Sequence, residues 1–380
     1  MKMTQVALNV VVACATLTPF WVNSAGLSMS QIATTKSVAT AGAANVTNSS
    51  DSSATISNAA ALSGIEDRSY VSGAQYINVF NQFTRDDSGE STEASKGLIA
   101  PHASYAKRVN KKAVLGISLH SAGGLGAEYS NGVGANPINA ISENAIAVVD
   151  ITTGVSYQVT DKLSLGGSLI LQYMKIDVVG GVNTQLEELA TGDSVAPSFA
   201  LSSYYTLSDN THLGLQYRHK TDHEIDIETS LDVNPTANLS WVTSIDLGLK
   251  HALSKQTDVM VNAKFENWED YDDKYTWTYS VGVGAAHKMD KFTIYGGASY
   301  DSSPVNENER DVLLPVDQQW RIGFGSEYEL ESGNKLGLAY QYQNNGTADI
   351  TADNVTLQPT GSYEDNRIHF VTLSYRHRFV

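Results

Sequence analysis

The sequence predicts an all-β protein, a 14-stranded antiparallel transmembrane β-barrel, and three observations carry that prediction. From Ser69 onward the chain falls into runs of about 10 to 14 residues whose polarity alternates residue by residue, the length and period of a tilted membrane-spanning strand. The runs number fourteen, an even count that lets both ends lie on one side of a barrel. The joints between them alternate strictly between short turns and longer loops, the layout of a bacterial barrel with periplasmic turns and outer loops. A soluble sandwich would show the same alternation of polarity but has no reason to sort its loops by length.

Composition narrows the field in the same direction. After the N-terminus no run of about 18 apolar residues occurs and the mean hydropathy is -0.21, so helices do not span and strands must. A formal net charge of -16 excludes nucleic acid as a partner, because phosphate binding needs a basic surface. The 19 Tyr and 30 Gly, against only 8 Pro, suit a barrel with aromatic girdles and a crowded inner wall.

In chain order, Met1, Lys2 and the apolar stretch from Val6 to Val22 read as a secretory signal, with Val22 and Ser24 at the positions before the cut. Residues 1–24 are therefore expected to be a leader and Ala25 the first mature residue. The single cysteine, Cys14, falls inside the leader, so the exported chain has no thiol, disulfide or cysteine metal site. Val11-Val12-Ala13-Cys14 also reads as a loose lipoprotein box, but the apolar run continues well beyond Cys14. Residues Gly26 to Asp67 are rich in Ala, Ser, Thr and Asn and hold neither a period of 2 nor one of 3.6, which marks an irregular segment or a disordered leader.

The fourteen runs are 69–82, 97–109, 112–121, 146–159, 162–176, 193–207, 211–224, 239–252, 257–267, 274–288, 291–301, 317–330, 335–345 and 366–379, within a barrel of residues 68–380. One face of the tenth run carries Tyr275, Trp277, Tyr279, Val281 and Val283, and the other Thr276, Thr278, Ser280, Gly282 and Gly284. The seventh sets Leu213, Leu215 and Tyr217 against Gln216, Arg218 and Lys220; the twelfth sets Trp320, Ile322, Phe324 and Tyr328 against Arg321, Glu327 and Glu329. Apolar faces suit lipid and charged faces a lumen. A turn centred on Lys255 places Ile245 opposite Phe265, Leu249 opposite Val261 and, on the lumen side, Asp246 opposite Lys264 as an inward ion pair. The last run puts Val371, Leu373, Tyr375 and Phe379 on one face and must complete closure, since lipid cannot bond a free edge.

Two separated motifs carry a family resemblance. Ala25-Gly26-Leu27, Gly42-Ala43-Ala44 and Ser57-Asn58-Ala59-Ala60-Ala61-Leu62 precede the first strand; Tyr300-Asp301-Ser302-Ser303-Pro304-Val305 and Leu314-Pro315-Val316-Asp317 lie far downstream. Together they resemble the outer-membrane long-chain fatty-acid transporters of the FadL and toluene-transporter type. The resemblance implies that residues 25–67 fold inside the lumen as a hatch. It also implies that Asn58-Ala59-Ala60, standing where the family has Asn-Pro-Ala, touches an inward kink of the third strand with a lateral opening to the bilayer. Replacement of Pro by Ala59 frees φ and restores an N–H, which loosens that turn. Gly116 is the candidate for the kink, with close packing as the equal alternative.

The function so implied is passive uptake of hydrophobic molecules, long-chain fatty acids first and aromatic hydrocarbons next, in the bacterial outer membrane. The expected substrate-path residues are Ala25, Gly26, Leu27, Asn58, Ala59, Ala60 and Gly116. A monomer surrounded by outer-membrane lipid and lipopolysaccharide is expected, without cofactor, metal or catalytic residue. Acyl chains gain about 0.8 kcal/mol per CH₂ on leaving water, so the path must offer apolar surface. Loops 121–145 and 344–365 are candidate walls of an entry site, and loop 177–192 is short.

Other readings are weaker. Asp222-His223-Glu224-Ile225-Asp226 at an outer strand end would suit an outer-membrane protease or lipase, but no partner nucleophile announces itself. Glu266, Glu269, Asp270, Asp272 and Asp273 would suit divalent cations shared with lipopolysaccharide, or are ordinary loop charge. Gly282-Val283-Gly284 lacks the rest of a dinucleotide fingerprint. A general diffusion porin needs an open lumen, which the long N-terminal segment argues against.

Overall fold

The computed structural model of the protein describes residues 31–133, 141–180, 187–229, 235–310, 316–351 and 359–379. Ala25-Gly26-Leu27 and the leader lie outside the described residues. Fourteen strands form the wall: β1 (Arg68–Arg85), β2 (Ser91–Arg108), β3 (Ala113–Val133), β4 (Ile141–Gln158), β5 (Leu163–Gly180), β6 (Glu187–Ser208) and β7 (Thr211–Arg218). The other half is β8 (Thr243–Ala252), β9 (Thr257–Asn267), β10 (Trp277–Met289), β11 (Phe292–Asp301), β12 (Gln319–Glu329), β13 (Lys335–Asn344) and β14 (Arg367–His377). Each pairs antiparallel with its successor, and β14 pairs with β1 from His377 opposite Tyr70 to Arg367 opposite Phe80, which closes the ring. Closure satisfies the backbone inside the bilayer, where an unpaired group costs several kcal/mol.

Each expected run overlaps one of these strands, and the inside-outside assignment holds. Trp277, Tyr279, Val281 and Val283 are exposed to the lipid side, while Thr278 is buried; Trp320, Ile322 and Phe324 are exposed, while Arg321 and Glu327 are buried. On β8 and β9, Ile245 lies opposite Phe265, Leu249 opposite Val261 and Asp246 opposite Lys264, as the turn geometry requires. The lumen-side ion pair of Lys264 is made to Glu266, 2.6 Å away on its own strand.

Four boundaries differ from expectation. Strands β1 to β6 are 18 to 22 residues long and continue past the apolar band, so most of 121–145 and 177–192 is strand where loops were expected. Above the bilayer neither face needs to be apolar, and a stretch such as Ser121-Ala122-Gly123-Gly124 shows no alternation to read. The seventh wall strand ends at Arg218: Thr221–Asp226 leaves the wall and pairs with Thr236–Trp241 as a separate hairpin. Tyr275 is likewise not on β10 but buried, in an isolated bridge with Val305. In 344–365, Ala348–Ile350 pairs with Gly361–Tyr363, which extends the wall beside the end of β1.

The N-terminal segment fills the periplasmic half of the lumen. It carries α1 (Thr35–Ala39), α2 (Ala54–Ser57) and a 3₁₀ turn (Ala59–Gly64). Helices this short are not stable alone. They are held by the wall: Thr35 Oγ1 bonds Ser374 Oγ at 2.7 Å, Ser52 Oγ bonds Ser104 Oγ at 2.9 Å, and Gln216 Nε2 donates to Ile56 O at 2.9 Å. The buried Asp51 carboxylate ties the segment to β14 through Arg376 (3.6 Å) and to α1 through Lys36 (3.4 Å). Burial opposes ionisation of Asp51, yet these two cations, with Ser53 and Asn48 donating, hold its carboxyl well below the usual carboxylate range.

Glycine on the inner wall makes room for this plug. A Cβ at Gly166 would lie 2.3 Å from Ala60 N, at Gly214 2.2 Å from Val46 O, at Gly297 2.6 Å from Thr40 O and at Gly323 2.4 Å from Val38 O. The backbone of the segment therefore lies directly on the backbone of the wall.

Candidate functional site

Successive inward positions along the wall strands define three layers. On β4 they run Ser156, Gly154, Thr152, Asp150, Val148, Ile146, from the periplasmic turn outward; on β5 they run Ser164, Gly166, Ser168, Ile170, Gln172, Met174, Ile176, Val178. Small residues face the hatch, polar ones follow, and apolar ones fill the mouth. The apolar layer joins Ile146, Val148, Met174 and Ile176 to Ile225, Leu239 and Trp241 of the inturned hairpin and to Trp268, Tyr271 and Tyr275. The mouth is thus lined by a hydrophobic core rather than by a wet pore.

Asn58 is fully buried and extended, and its Nδ2 donates to Val46 O (2.8 Å) and Ser203 O (3.0 Å). Ala60 N donates to Ser202 Oγ at 3.0 Å, and Ser156 Oγ donates to Ala60 O at 2.8 Å. The Asn58-Ala59-Ala60 turn therefore docks on β4, β5 and β6, whereas the third strand was the expected neighbour. Thr55 and Leu62 meet β3 instead, at Gly116, where a Cβ would come within 2.3 Å of Thr55 Oγ1. Gly116 pairs in register with Ala106 and with Gly154, so it is a close-packing glycine and not the kink.

A bulge lies further along β3. Between Ser121 and Gly123 the β3–β4 ladder slips by one residue, and Gly124 has φ +144°, a conformation that L side chains rarely adopt. On the other side, no β2–β3 rung lies between the pairs His102–His120 and Ala94–Tyr129 among the described residues. Both ladders resume one residue out of step, so a single extra residue in β3 accounts for both. Pro101, the next residue of β2 after the last rung, has no N–H to offer a neighbour. The result is a window between residues 95–101 and 121–128. Its β2 edge carries Ile99, 75% exposed and opposite the lipid-facing Tyr76, and above it Phe83, Ala94, Tyr129 and Tyr363 pack together. Within the window Lys96 is ion-paired with Glu143.

Beside the window sits the polar layer. Asp150, fully buried, is ion-paired with Arg218 Nη1 at 2.7 Å and accepts from Gln172 Nε2 at 2.7 Å; His120 Nε2 is 3.9 Å away. Gln172 Oε1 in turn meets His223 Nε2 of the hairpin at 3.1 Å. A cavity of ≈ 90 Å³ lies between this layer and the hatch, lined by Val46 and Ser57 below, Arg218 and His120 at the side, and Ala122 and Trp241 toward the mouth. Sequence reading missed Pro101, Gly123 and this layer; a Pro inside an alternating run and a Gly-Gly pair in the third were the available signals.

The remaining motifs are accounted for locally. Asp222 and His223 point to opposite faces of their strand, Asp222 to Ser240 and Lys220, His223 inward, so they form no dyad. Asp270 accepts from Thr243 N and Asp272 faces Lys274, so these loop carboxylates are engaged within the chain.

Comparison with known proteins agrees with this architecture. The family model described as outer membrane protein transport protein (OMPP1/FadL/TodX) matches residues 15–379. The long-chain fatty acid transport protein of Escherichia coli is 20% identical over 219 residues, 47% of this chain, a match that spans about half (49%) of that relative. A Pseudomonas aeruginosa FadL homologue superposes with a TM-score of 0.80 at 17% identity, covering 93% of this chain and 100% of its own. The Pseudomonas putida toluene transporter TodX does so with 0.69 at 18%, covering 90% and 98%. At these identities the structural likeness speaks for the fold.

Proposed function

The chain belongs to the outer membrane transport protein family of FadL and TodX, and from that premise we propose that it is a passive outer-membrane channel for hydrophobic molecules, long-chain fatty acids first among them. The reading takes residues 1–24 as the export signal, the segment that follows as the hatch, and the barrel as a monomer among outer-membrane lipids and lipopolysaccharide. Substrate enters the apolar mouth, moves down to the hatch and leaves sideways through the β2–β3 window into the bilayer. The observation that carries this reading is the interrupted ladder at Pro101 and Ala122, at the level of lipid-facing Ile99. A free edge there is tolerable only because it lines an opening in the protein and not a lipid-packed wall.

The hatch supports the apolar route over a porin. Its backbone packs directly on the glycines of the wall at Gly166, Gly214, Gly297 and Gly323, and the cavity above it is only ≈ 90 Å³. The family and the structural neighbours are channels and not enzymes, which leaves the hydrolase reading without support.

Growth of a deletion strain on oleate and on toluene as sole carbon sources, with and without the gene restored, tests the proposal. Slow growth on oleate that the gene restores is expected; equal growth of both strains on oleate overturns the fatty-acid reading. A defect on toluene alone would move the substrate to aromatic hydrocarbons.

A further inference from the structure

We propose that Arg68 and Lys107, at the periplasmic foot of β1 and β2, hold the phosphate of an anionic phospholipid whose acyl tails then lie along the outer face of β2. The inference goes beyond the transport reading and does not depend on it.

The two side chains are direct partners across the β1–β2 ladder, and both are exposed. They alternate with the buried Ser69 and Ala106, so they stand on the outer face of the wall. Like charges set directly opposite each other in a sheet are destabilising, and their Cβ atoms stand only about 5 Å apart, so one phosphate can meet both. Asp67 engages Arg68 at 2.9 Å, while Lys107 has no ion pair among the described residues. In a chain with a net charge of -16, two adjacent cations that share one carboxylate are a local surplus. Lys111 and Lys112, exposed in the turn that follows β2, extend it. On the opposite arc Lys288 and Lys291 share their turn with Asp290 and are not ladder partners.

The neighbours of the pair are those of a lipid head. Arg68 stands over the ring of Phe379 at 5.0 Å, that ring meets Tyr105 edge-on at 6.1 Å, and Tyr105 lies opposite Tyr70. Lys112 likewise lies over Tyr157 at 5.9 Å. Rings at this level mark the headgroup boundary, where a neighbouring cation meets lipid phosphate. From Lys107 the outer face of β2 continues through Tyr105, Ala103 and Pro101 to Ile99. The six residues from Lys107 to Pro101 rise about 20 Å. On a strand tilted by about 45° that is the depth of one leaflet of a ~30 Å hydrocarbon core. A tail anchored at Lys107 therefore ends beside Pro101, at the foot of the β2–β3 window.

Native mass spectrometry of the intact protein, released from micelles that hold equal amounts of dioleoylphosphatidylglycerol and dioleoylphosphatidylcholine, tests the site. Wild-type protein is expected to retain the anionic lipid over the zwitterionic one about tenfold or more, since each cation near an anionic lipid contributes about a factor of five. Lys107→Gln should lower that preference about fivefold, and Arg68→Gln combined with Lys107→Gln should abolish it. Lys288→Gln combined with Lys291→Gln removes the same charge from the opposite arc and should leave it intact. All four side chains are exposed, so each variant is expected to remain a heat-modifiable barrel. No preference in wild-type protein, or an equal loss in the Lys288 and Lys291 variant, overturns the site.

Discussion

Asn58 joins two carbonyls, one on the hatch and one on β6, and has no room to grow: a Cβ at the facing Gly214 would already lie 3.0 Å from its Nδ2. Asn58→Phe should lose both hydrogen bonds and overpack the turn, at a cost of about 1–3 kcal/mol to hatch docking. It should also push Val46 into the cavity that Val46 helps to line. The expected outcome is several-fold slower uptake of the transported compound with normal barrel assembly, measured on the same cells. Unimpaired uptake would take Asn58 off the path. At this scale the sequence was readable for which way a side chain points, because the pleat allows only two directions. It placed Asp246 opposite Lys264 but could not tell that Lys264 would bond Glu266, since both acceptors share the lumen face and only distance decides between them. Nor could it tell that Asn58 meets β6, because the hatch has no period that fixes its rotation within the barrel.

The wall glycines are where the elements meet, and Gly297 is the most direct probe of that contact. A Cβ there would stand 2.6 to 2.7 Å from three backbone atoms of Thr40, which cannot swing away as a side chain could. Gly297→Val should therefore lift the hatch from β11 at a cost of about 1–3 kcal/mol while β10–β11–β12 pairing survives. Leakage of small polar solutes through the outer membrane, read as sensitivity to a hydrophilic antibiotic, should rise. Leakage at the wild-type level would mean that the hatch is not held by this contact. The fourteen strands were legible because lipid forces apolar residues onto one face, and the legibility ended where the lipid ended: beyond Ser121 on β3 and beyond Arg218 on β7. The inturned hairpin keeps an unbroken alternation from Thr221 to Asp226, so the pattern reads as more wall although its buried face packs in the mouth. The bulge was hidden for a related reason. One extra residue among Ala122, Gly123 and Gly124 shifts the register without disturbing any apolar pattern, whereas Gly116, the more visible glycine, turned out to face Thr55.

Across the whole molecule the layers form a conduit that is apolar at the mouth, polar at mid-depth and closed by backbone-on-backbone packing at the periplasmic end. Among the described residues the wall between β2 and β3 is unpaired from 95 to 101, and the proposed route leaves the lumen there. Deleting Ala122 removes the extra residue from both ladders at once, and Pro101→Val restores the missing N–H, so the combined variant should zip β2 to β3 through the bilayer level. Measured uptake of a hydrophobic substrate by this variant, assembled as a heat-modifiable barrel in the outer membrane, tests the lateral route most directly. The account predicts that uptake falls to the level of cells without the protein; uptake at the wild-type rate through a closed β2–β3 seam would contradict it.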